Sequence, residues 1–347
     1  MRMLFRSLVV TSLVLVLLVS NAAARAQDEA SALTPELAFR IQVVLFGKMQ
    51  LPPQTSFRFG DRTMCEIPGY DRVDVGYSSP DGIHGTFPLL VSKDGSKLLI
   101  SKEDTEIFIS QDDEKEPPYT AYDISADPRE KLQVSDRPPR GGPADAPVLM
   151  VVFDDLECPF CAHLNVELFP ALLDRYKDSV RIVYRNFPLK DHLWATHAAV
   201  DVDCLGSEST AAYWAAVDRI HAHFSEYGRA ARLLTKAEDE IDAEVKKQGE
   251  AYQVDGARLD ACIAKQDTAP EVASTRLGAS LGVEARPTTF INGLKVVGAL
   301  PTEYIFGLID DALRAEGKTP PPPYVPVKTG AATPATGKAK PPSPTAK

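Results

Sequence analysis

The sequence predicts an α/β fold with a helical insertion, preceded by a small α+β domain. An apolar run at residues 148–153 is followed by a helical pattern and then by a second apolar run. Near residue 290, two short runs of strand-forming residues precede a final helical pattern. A long helical stretch, roughly residues 193–266, separates these two units. A β-α-β unit and a β-β-α unit on either side of helices indicate one sheet with a helical insert.

Composition narrows the class of protein before any motif is considered. The chain has 347 residues, of which 44% are hydrophobic and 25% are charged, and this length suits roughly two domains. The formal charge of −10 gives no support to nucleic-acid binding. Five cysteines are too few for a small disulfide scaffold, but they allow redox chemistry, a metal site or structural disulfides.

The N-terminus, residues 1–26, is typical of a secretory signal peptide. Arg2 and Arg6 precede an apolar run over 8–19, and an Ala-x-Ala end favours cleavage before Gln27. An uncleaved anchor is the weaker alternative because a membrane span needs about 20 apolar residues. We therefore expect an exported protein, periplasmic or in the cell envelope and soluble after cleavage, where disulfides persist.

Residues 27–137 are predicted to form the small α+β domain, whose role the sequence does not indicate. Helical spacing covers Pro35 to Met49, and Asp81-Gly82 and Asp94-Gly95 are typical of hairpin turns between short apolar runs. Residues 138–147 are rich in proline and glycine and are expected to be a linker. Residues 316–347, rich in proline and lysine, are expected to be a disordered tail.

The domain over residues 148–315 contains the remaining elements. We expect a buried strand over Val148–Phe153, a helix from Pro159 to Tyr176 and a strand over Val180–Tyr184. After the insert, a hairpin turns at Asn292-Gly293, and a helix over Pro301–Arg314 ends the domain. This order indicates a thioredoxin-type sheet with a helical insert.

The sharpest chemical signal is Cys158-Pro159-Phe160-Cys161, where the first strand meets the first helix. Unpaired backbone N–H groups and the positive end of the helix dipole favour a thiolate at this place. Pro159 suits the first helical turn. Cys158 is therefore predicted as an exposed nucleophile of low pKa, and Cys161 as the sheltered resolving thiol.

Other roles for these two cysteines need partners that the sequence does not supply. A zinc site would require a second ligand pair, yet Cys204 and Cys262 stand far apart in the chain. Haem attachment would require histidine directly after Cys161, where Ala162 stands. We predict no metal and no cofactor, and a purely structural Cys158–Cys161 disulfide stays open as an alternative.

The sequence resembles the thioredoxin-fold, Dsb-type thiol–disulfide oxidoreductases of bacterial periplasms and cell envelopes. The resemblance covers about residues 145–315 and rests on three stretches, at 153–161, 184–189 and 282–293. It implies that Pro287 is a cis-proline opposite the cysteines and that the backbone of Arg286, beside Thr288, pairs with substrate as an extra strand. An ordinary proline at a strand start is the alternative.

Residues at three positions are expected to affect the stability of the Cys158 thiolate, the proton of Cys161 and the reduction potential of the pair. Relatives commonly carry Thr or Val before the cis-proline; Arg286 stands here, and a cation there would stabilise the Cys158 thiolate and favour acidic substrates. Many relatives carry a buried acid where this chain has Val152, so another group or water must carry protons for Cys161. Phe160 does not stabilise a thiolate, and we expect a reduction potential between those of thioredoxin and the strong oxidases.

We expect no chemical role for the remaining acids, histidines and cysteines. Asp154, Asp155 and Glu157 lie near the motif and are expected to be solvated. The histidines of the insert are expected on helix surfaces without a chemical role (His192, His197, His221 and His223). Cys204 and Cys262 are expected to form a structural disulfide between insert helices, with two buried free thiols as the alternative. Cys65 is then unpaired and either inert or bridged to another chain.

These features predict an exported enzyme that forms or exchanges disulfides in exported proteins through a mixed disulfide at Cys158. A DsbA-like oxidase fits the architecture, and the resemblance implies a membrane redox partner that resets the site. A DsbC- or DsbG-like isomerase or reductase is the alternative, in which residues 27–137 would make a homodimer. A non-catalytic thioredoxin-fold protein that binds peptides is the alternative from another class.

Overall fold

The computed structural model describes residues 32–49, 51–102, 119–227 and 234–325. The helices are α1 (Pro35–Lys48), α2 (Pro159–Tyr176), α3 (Ala195–Glu208), α4 (Thr210–His223), α5 (Leu234–Ala251), α6 (Gly256–Lys265), α7 (Ala269–Ser280) and α8 (Thr302–Ala315). The strands are β1 (Ser56–Phe59), β2 (Thr63–Met64), β3 (Tyr70–Ser78), β4 (His84–Ser92), β5 (Lys97–Ser101), β6 (Tyr119–Asp123), β7 (Pro139–Gly141), β8 (Val148–Asp154), β9 (Val180–Asn186), β10 (Thr288–Ile291) and β11 (Leu294–Val297). The helices and strands predicted from residue 148 onward are confirmed, with small shifts at their ends.

Five strands form the sheet of the C-terminal domain, in the order β11-β10-β8-β9-β7. β8 and β9 run parallel, and the other neighbours are antiparallel. Along β8, Met150 and Val152 face a core shared with α2, α8 and the insert, whereas Val151 and Phe153 face the opposite layer below α7. The predicted thioredoxin-like arrangement is confirmed.

Helices α3 to α6 form the insert between β9 and α7. α4 packs against α2 and α3, and thereby reaches the helix that begins at the cysteine motif. A disulfide between Cys204 and Cys262 joins α3 to α6 across 58 residues of chain. The insert is thus anchored both to α2 and within itself.

The N-terminal sheet is antiparallel, in the order β1-β3-β4-β5-β6, with β2 paired to β3. The two Asp-Gly turns connect β3 to β4 and β4 to β5 as predicted. Gly82 (φ +86°) and Gly95 (φ +71°) occupy the left-handed region, which favours glycine. Ile41 and Leu45 of α1 pack on this sheet in its core.

Helix α1 packs against both domains. Its Phe39 lies in the core of the C-terminal domain, and the helix packs against α8 and β11. Beside it, the Tyr304 hydroxyl of α8 donates a hydrogen bond to the carbonyl of Thr55 at 2.8 Å. The two sheets therefore share one helix.

The predicted linker at residues 138–147 is wrong in part, because it contains strand β7. Pro139–Gly141 pairs antiparallel with β9 at the edge of the sheet. Proline is tolerated at an edge because an edge strand leaves one side without ladder hydrogen bonds. The C-terminal domain thus begins before residue 148.

The predicted disordered tail is also wrong at its start. The Tyr324 ring packs on Phe306, with centroids 4.9 Å apart, and Arg175 donates to the carbonyls of Pro321 and Pro322. The predicted signal peptide at residues 1–26 and the rest of the tail, 326–347, lie outside the described residues. No helix in the described ranges combines the length and the hydropathy that a membrane span requires.

Candidate active site

The cysteine motif lies where β8 ends and α2 begins. Cys158 is the N-cap residue of α2, with φ −78° and ψ 122°, and Pro159 stands in the first turn. The Cys158 carbonyl accepts the N–H of Ala162 at 3.0 Å, which starts the helix. Phe160 is 65% exposed. The first N–H groups of α2 therefore lie beside the Cys158 sulfur, at the positive end of the helix dipole.

Cys158 differs from the prediction in its exposure. Only 4% of the residue is accessible, because the loop before β10 lies over it and the carbonyl oxygen of Arg286 is 4.0 Å from Cys158 Sγ. A hydrogen bond from the Cys161 thiol, helped by the backbone N–H groups of Cys161 and Phe160, lowers the pKa of Cys158 from 9.0 to about 6. At neutral pH this sulfur is mostly a thiolate.

Cys161 has the opposite character. It is fully buried one turn into α2. Burial raises the pKa of the Cys161 thiol well above its usual value, and its hydrogen bond to Cys158 and the negative charge of Asp154 raise it further. The motif therefore pairs a thiolate near the surface with a thiol that keeps its proton.

The loop before β10 faces the cysteines. The Arg286–Pro287 peptide bond is cis, and Pro287 and Thr288 are both buried. Thr288 opens β10, where it pairs with Phe153 of β8, and its Oγ1 donates to the carbonyl of Ala285 at 2.8 Å. The sheet thus fixes the loop against the strand that carries the motif.

The Arg286 side chain is half-buried beside the motif. Its guanidinium lies over the Phe187 ring, 3.9 Å from the centroid, and its Nε donates to the Phe187 carbonyl at 2.7 Å. Burial lowers the pKa of Arg286, and the negative charges of Asp155, Cys161 and Cys158 oppose this lowering. The expected cation is therefore within electrostatic range of both sulfurs.

The acids near the motif are not solvated, so that expectation is wrong. Asp155 is buried and accepts hydrogen bonds from the Leu189 N–H at 2.7 Å and from His192 Nδ1 at 2.8 Å. Burial raises the pKa of Asp155. Glu157 is half-buried and accepts the Trp194 N–H at 2.8 Å, at the start of α3. Both side chains tie the motif to the insert.

A buried carboxylate–imidazole pair lies below the motif, and the sequence reasoning missed it. Asp154 Oδ2 and His221 Nε2 are 2.9 Å apart, and neither side chain is accessible to solvent. The predicted place of His221 on a helix surface is wrong, because it lies on the side of α4 that faces the sheet. Alternation along β8 signals the position of Asp154, because Asp154 continues the inward face of Met150 and Val152.

The other candidates lie apart from the motif. Cys65 is half-buried in the N-terminal domain, where its sulfur contacts the carbonyls of Ile67 and Tyr70. His197 lies between Asp201, at 3.3 Å, and Asp242, at 2.7 Å. Burial lowers the pKa of His197, but the hydrogen bonds that its ring donates to these two carboxylates outweigh burial and raise the pKa to about 9. The imidazole thus lies between the two acids and is hydrogen-bonded to Asp242.

Comparison with known proteins places the chain among thioredoxin-like sequences. A family model described as Thioredoxin matches residues 135–311, just over half of the chain. The match to α-DsbA1 from Wolbachia pipientis covers 55% of this chain and 98% of that protein, at 19% identity and a TM-score of 0.45. The match to oxidised BdbD from Bacillus subtilis covers 52% and 94%, at 18% identity and a TM-score of 0.42. The Na(+)/H(+) antiporter NhaA 1 of Salinispora arenicola is 31% identical over 175 residues, which are 49% of this chain and only 24% of the antiporter.

Proposed function

The chain belongs to the thioredoxin family, and from that premise we propose that it is a thiol–disulfide oxidoreductase that acts on exported proteins. The observation that carries this proposal is the placement of the two thiols, Cys158 at the N-cap of α2 and Cys161 buried one turn into that helix, and their opposite pKa shifts agree with it. A thiolate is the attacking species in disulfide exchange, and a neighbouring thiol is needed to release the product. The two cysteines supply both.

In the reducing direction, the Cys158 thiolate attacks one sulfur of a substrate disulfide. A mixed disulfide forms, and the other substrate sulfur leaves as a thiolate. Cys161 then loses its proton and attacks Cys158 Sγ, the bond between Cys158 and the substrate breaks, and the substrate leaves as a dithiol. The enzyme is left with a Cys158–Cys161 disulfide, two electrons having passed to the substrate.

In the oxidising direction the same steps run backwards, and a substrate thiolate attacks the Cys158–Cys161 disulfide. The direction depends on the stability of the Cys158 thiolate, since a lower pKa stabilises the reduced enzyme and makes its disulfide more oxidising. A pKa of about 6 lies between about 7 for thioredoxin and about 3.5 for the strongest oxidase. We propose an intermediate potential, suited to donating disulfides.

Substrate is proposed to dock along the backbone before β10. The Arg286 carbonyl lies 4.0 Å from Cys158 Sγ, so an extended peptide paired with Arg286 would present its sulfur to the nucleophile. Thr288 in β10 and the buried Pro287 directly before it hold this backbone in place. The exposed ring of Phe160 lies at the same surface and is available for apolar contact with the substrate.

The proposed setting is an oxidising compartment outside the cytoplasm. The Cys204–Cys262 disulfide supports it, because such bonds persist where thiols are not kept reduced. The proposed partners are exported proteins with thiols or disulfides and a membrane redox protein that resets the site, with no nucleic acid. Homodimerisation through the N-terminal domain stays a prediction.

The test is the reduction potential of the Cys158–Cys161 pair in the full chain, in a Cys65→Ser background. The protein is equilibrated with glutathione buffers, the free thiols are alkylated, and mass spectrometry gives the oxidised fraction. We expect a potential between about −270 mV, the value of thioredoxin, and about −120 mV, the value of a strong oxidase. Cys204–Cys262 should stay oxidised throughout and serves as an internal control. A pair that does not exchange with glutathione would overturn the proposal.

A further inference from the structure

We propose that His197, Asp201 and Asp242 form a binding site for a divalent transition-metal ion such as zinc, between helices α3 and α5 of the insert. The site lies apart from the cysteine motif, and the inference does not depend on the proposed exchange reaction. The sequence prediction of no metal rests on the cysteines as ligands, whereas the ligands proposed here are an imidazole and two carboxylates.

The first supporting observation is that three ligand atoms converge. His197 and Asp201 are one turn apart on α3 and therefore project from the same side of that helix. Asp242 reaches them from α5, which packs against α3. His197 Nε2 is 3.3 Å from Asp201 Oδ2 and 2.7 Å from Asp242 Oδ1. The ligand atoms of the three residues all lie within 4.8 Å of one another.

The second observation is that one proton on His197 does not satisfy both acids. Nε2 carries at most one proton, and it donates to Asp242 Oδ1 at 2.7 Å. Within the described ranges, Asp201 Oδ2 is left without a hydrogen bond of good geometry, although the Asp201 side chain is completely buried. Buried carboxylate oxygens are nearly always paired, so an unpaired one needs a reason. A cation between the three atoms would satisfy all of them together.

The spacing of the three atoms fits a small cation. Zinc binds histidine nitrogen and carboxylate oxygen at about 2.0–2.2 Å, so two ligand atoms of a tetrahedral site are about 3.3 Å apart. The distance of 3.3 Å between His197 Nε2 and Asp201 Oδ2 already has this value. The distance of 2.7 Å to Asp242 Oδ1 is shorter, and a small rotation of the Asp242 side chain, 29% of which is exposed, would open it.

Charge and accessibility also suit a divalent ion. Two carboxylates beside a neutral imidazole carry two negative charges, which the ion would neutralise. Asp201 closes the site on its inner side, whereas His197 and Asp242 are partly exposed, so an ion can enter and water can take a fourth position. Lys246, one turn along α5 from Asp242, pairs with Asp260 at 3.0 Å. In the metal-free chain, the proton on Nε2 stands where the ion would bind.

The ligand types select the class of ion. Calcium and magnesium take oxygen ligands, whereas imidazole nitrogen suits zinc and other ions of the first transition series. Three protein ligands of the nitrogen and carboxylate kind, with one position left for water, are typical of zinc sites that are open to solvent. Zinc and its spectroscopic substitute cobalt are therefore the ions with which the site is tested.

A further residue holds the buried ligand in place. Gln266 Nε2 donates to Asp201 Oδ1 at 2.7 Å, while Asp201 Oδ2 faces the ring of His197. Carboxylates that bind metals commonly have such an outer hydrogen-bond partner. Gln266 is the C-cap residue of α6, and Cys262 of the same helix is joined to Cys204 of α3. The ion would therefore link α5 to the two helices that the disulfide already joins.

The experiment is a calorimetric titration of the full chain with Zn²⁺. The parent protein is Cys65→Ser/Cys158→Ser/Cys161→Ser, which has no free thiol that could bind zinc, and it is first treated with a chelator. We expect the parent to bind one Zn²⁺ per chain. His197→Gln and Asp242→Asn each remove one ligand and should weaken binding by at least about 100-fold.

Companion variants separate binding from folding. His223→Gln removes a surface histidine that contacts Glu226 at 3.0 Å, and this matched control should bind Zn²⁺ like the parent. Gln266→Met removes the outer hydrogen bond of Asp201 and should weaken binding by about 10–100-fold. Because Asp242 is partly exposed, Asp242→Asn should keep the far-ultraviolet circular dichroism of the parent.

Spectroscopy and competition identify the ligands. Co²⁺ bound to the parent should give the visible absorption of a four-coordinate ion with nitrogen and oxygen ligands, and Asp242→Asn should abolish it. Ca²⁺ and Mg²⁺ in excess should not displace Zn²⁺, because the site contains an imidazole.

A parent chain that does not bind Zn²⁺ would overturn the proposal, and the three residues would then form a hydrogen-bonded ion cluster only. Zinc binding of parental strength in both His197→Gln and Asp242→Asn would also overturn it, because the ion would then be bound elsewhere. The same would follow if His223→Gln lost binding as strongly as these two variants.

Discussion

The Cys161 thiol should be the main source of the low pKa of Cys158, and replacing it should raise that pKa. The hydrogen bond from Cys161 is the largest of the causes that lower the pKa from 9.0 to about 6, ahead of two backbone N–H groups. Cys161→Ala removes this donor and leaves the backbone groups in place. A hydrogen bond to a charged acceptor contributes about 1.5–3 kcal/mol, which is roughly one to two pKa units.

The assay is the rate at which iodoacetamide alkylates Cys158 as a function of pH, in a Cys65→Ser background. The rate follows the thiolate fraction, so its midpoint reports the pKa. The wild-type midpoint should lie near pH 6, and that of Cys161→Ala about one to two units higher. Cys161→Ser keeps a hydroxyl donor and should retain most of the lowering. If the alanine and serine variants share the wild-type midpoint, the assignment to this hydrogen bond is refuted.

Three further measurements address other parts of the chain. Arg286→Thr should raise the alkylation midpoint of Cys158, because it removes a cation within range of the thiolate; an unchanged midpoint would contradict this. The double variant Cys204→Ala/Cys262→Ala should lose about 2–4 kcal/mol of unfolding free energy in urea, since the bond closes a loop of 58 residues; no loss would show that the disulfide does not stabilise the fold. The pKa of His197 is raised from 6.5 to about 9 in the folded chain, so the stability that it provides is present below pH 6.5 and is lost as the pH rises through 9. Urea midpoints between pH 6 and 10 should show this loss in the wild type and much less of it in His197→Gln.

Local signals in the sequence are sufficient to predict the helices and strands around the cysteines. They predict helix α2 with both of its observed ends, Pro159 and Tyr176, because capping and one-sided apolar spacing involve neighbouring residues only. They miss strand β7 because a proline run indicates a loop, and only pairing with β9 makes Pro139–Gly141 an edge strand. They leave Tyr324 in a disordered tail because nothing near it in sequence indicates the Phe306 ring on which it packs.

The same limit of local sequence signals applies to the buried pair of Asp154 and His221 below the cysteines. His221 and Asp154 are 67 residues apart, and the residues around His221 suit an exposed helix face as well as a buried one. Asp154 directly follows an apolar run, so its charge by itself indicates the end of the buried strand. Side-chain alternation contains the better signal, because Asp154 lies on the same face as Val152.

That shared face explains why the acid needs a partner from the insert. Val152 fills the core, and Asp154 lies two residues nearer the end of β8, where α4 packs above the strand and presents His221. His221→Leu alone leaves a buried carboxylate without its donor, which costs about 3–5 kcal/mol of unfolding free energy. The double variant Asp154→Leu/His221→Leu removes both polar groups and should recover most of that stability in urea denaturation. A double variant as unstable as His221→Leu would mean that the two members of the pair do not compensate each other.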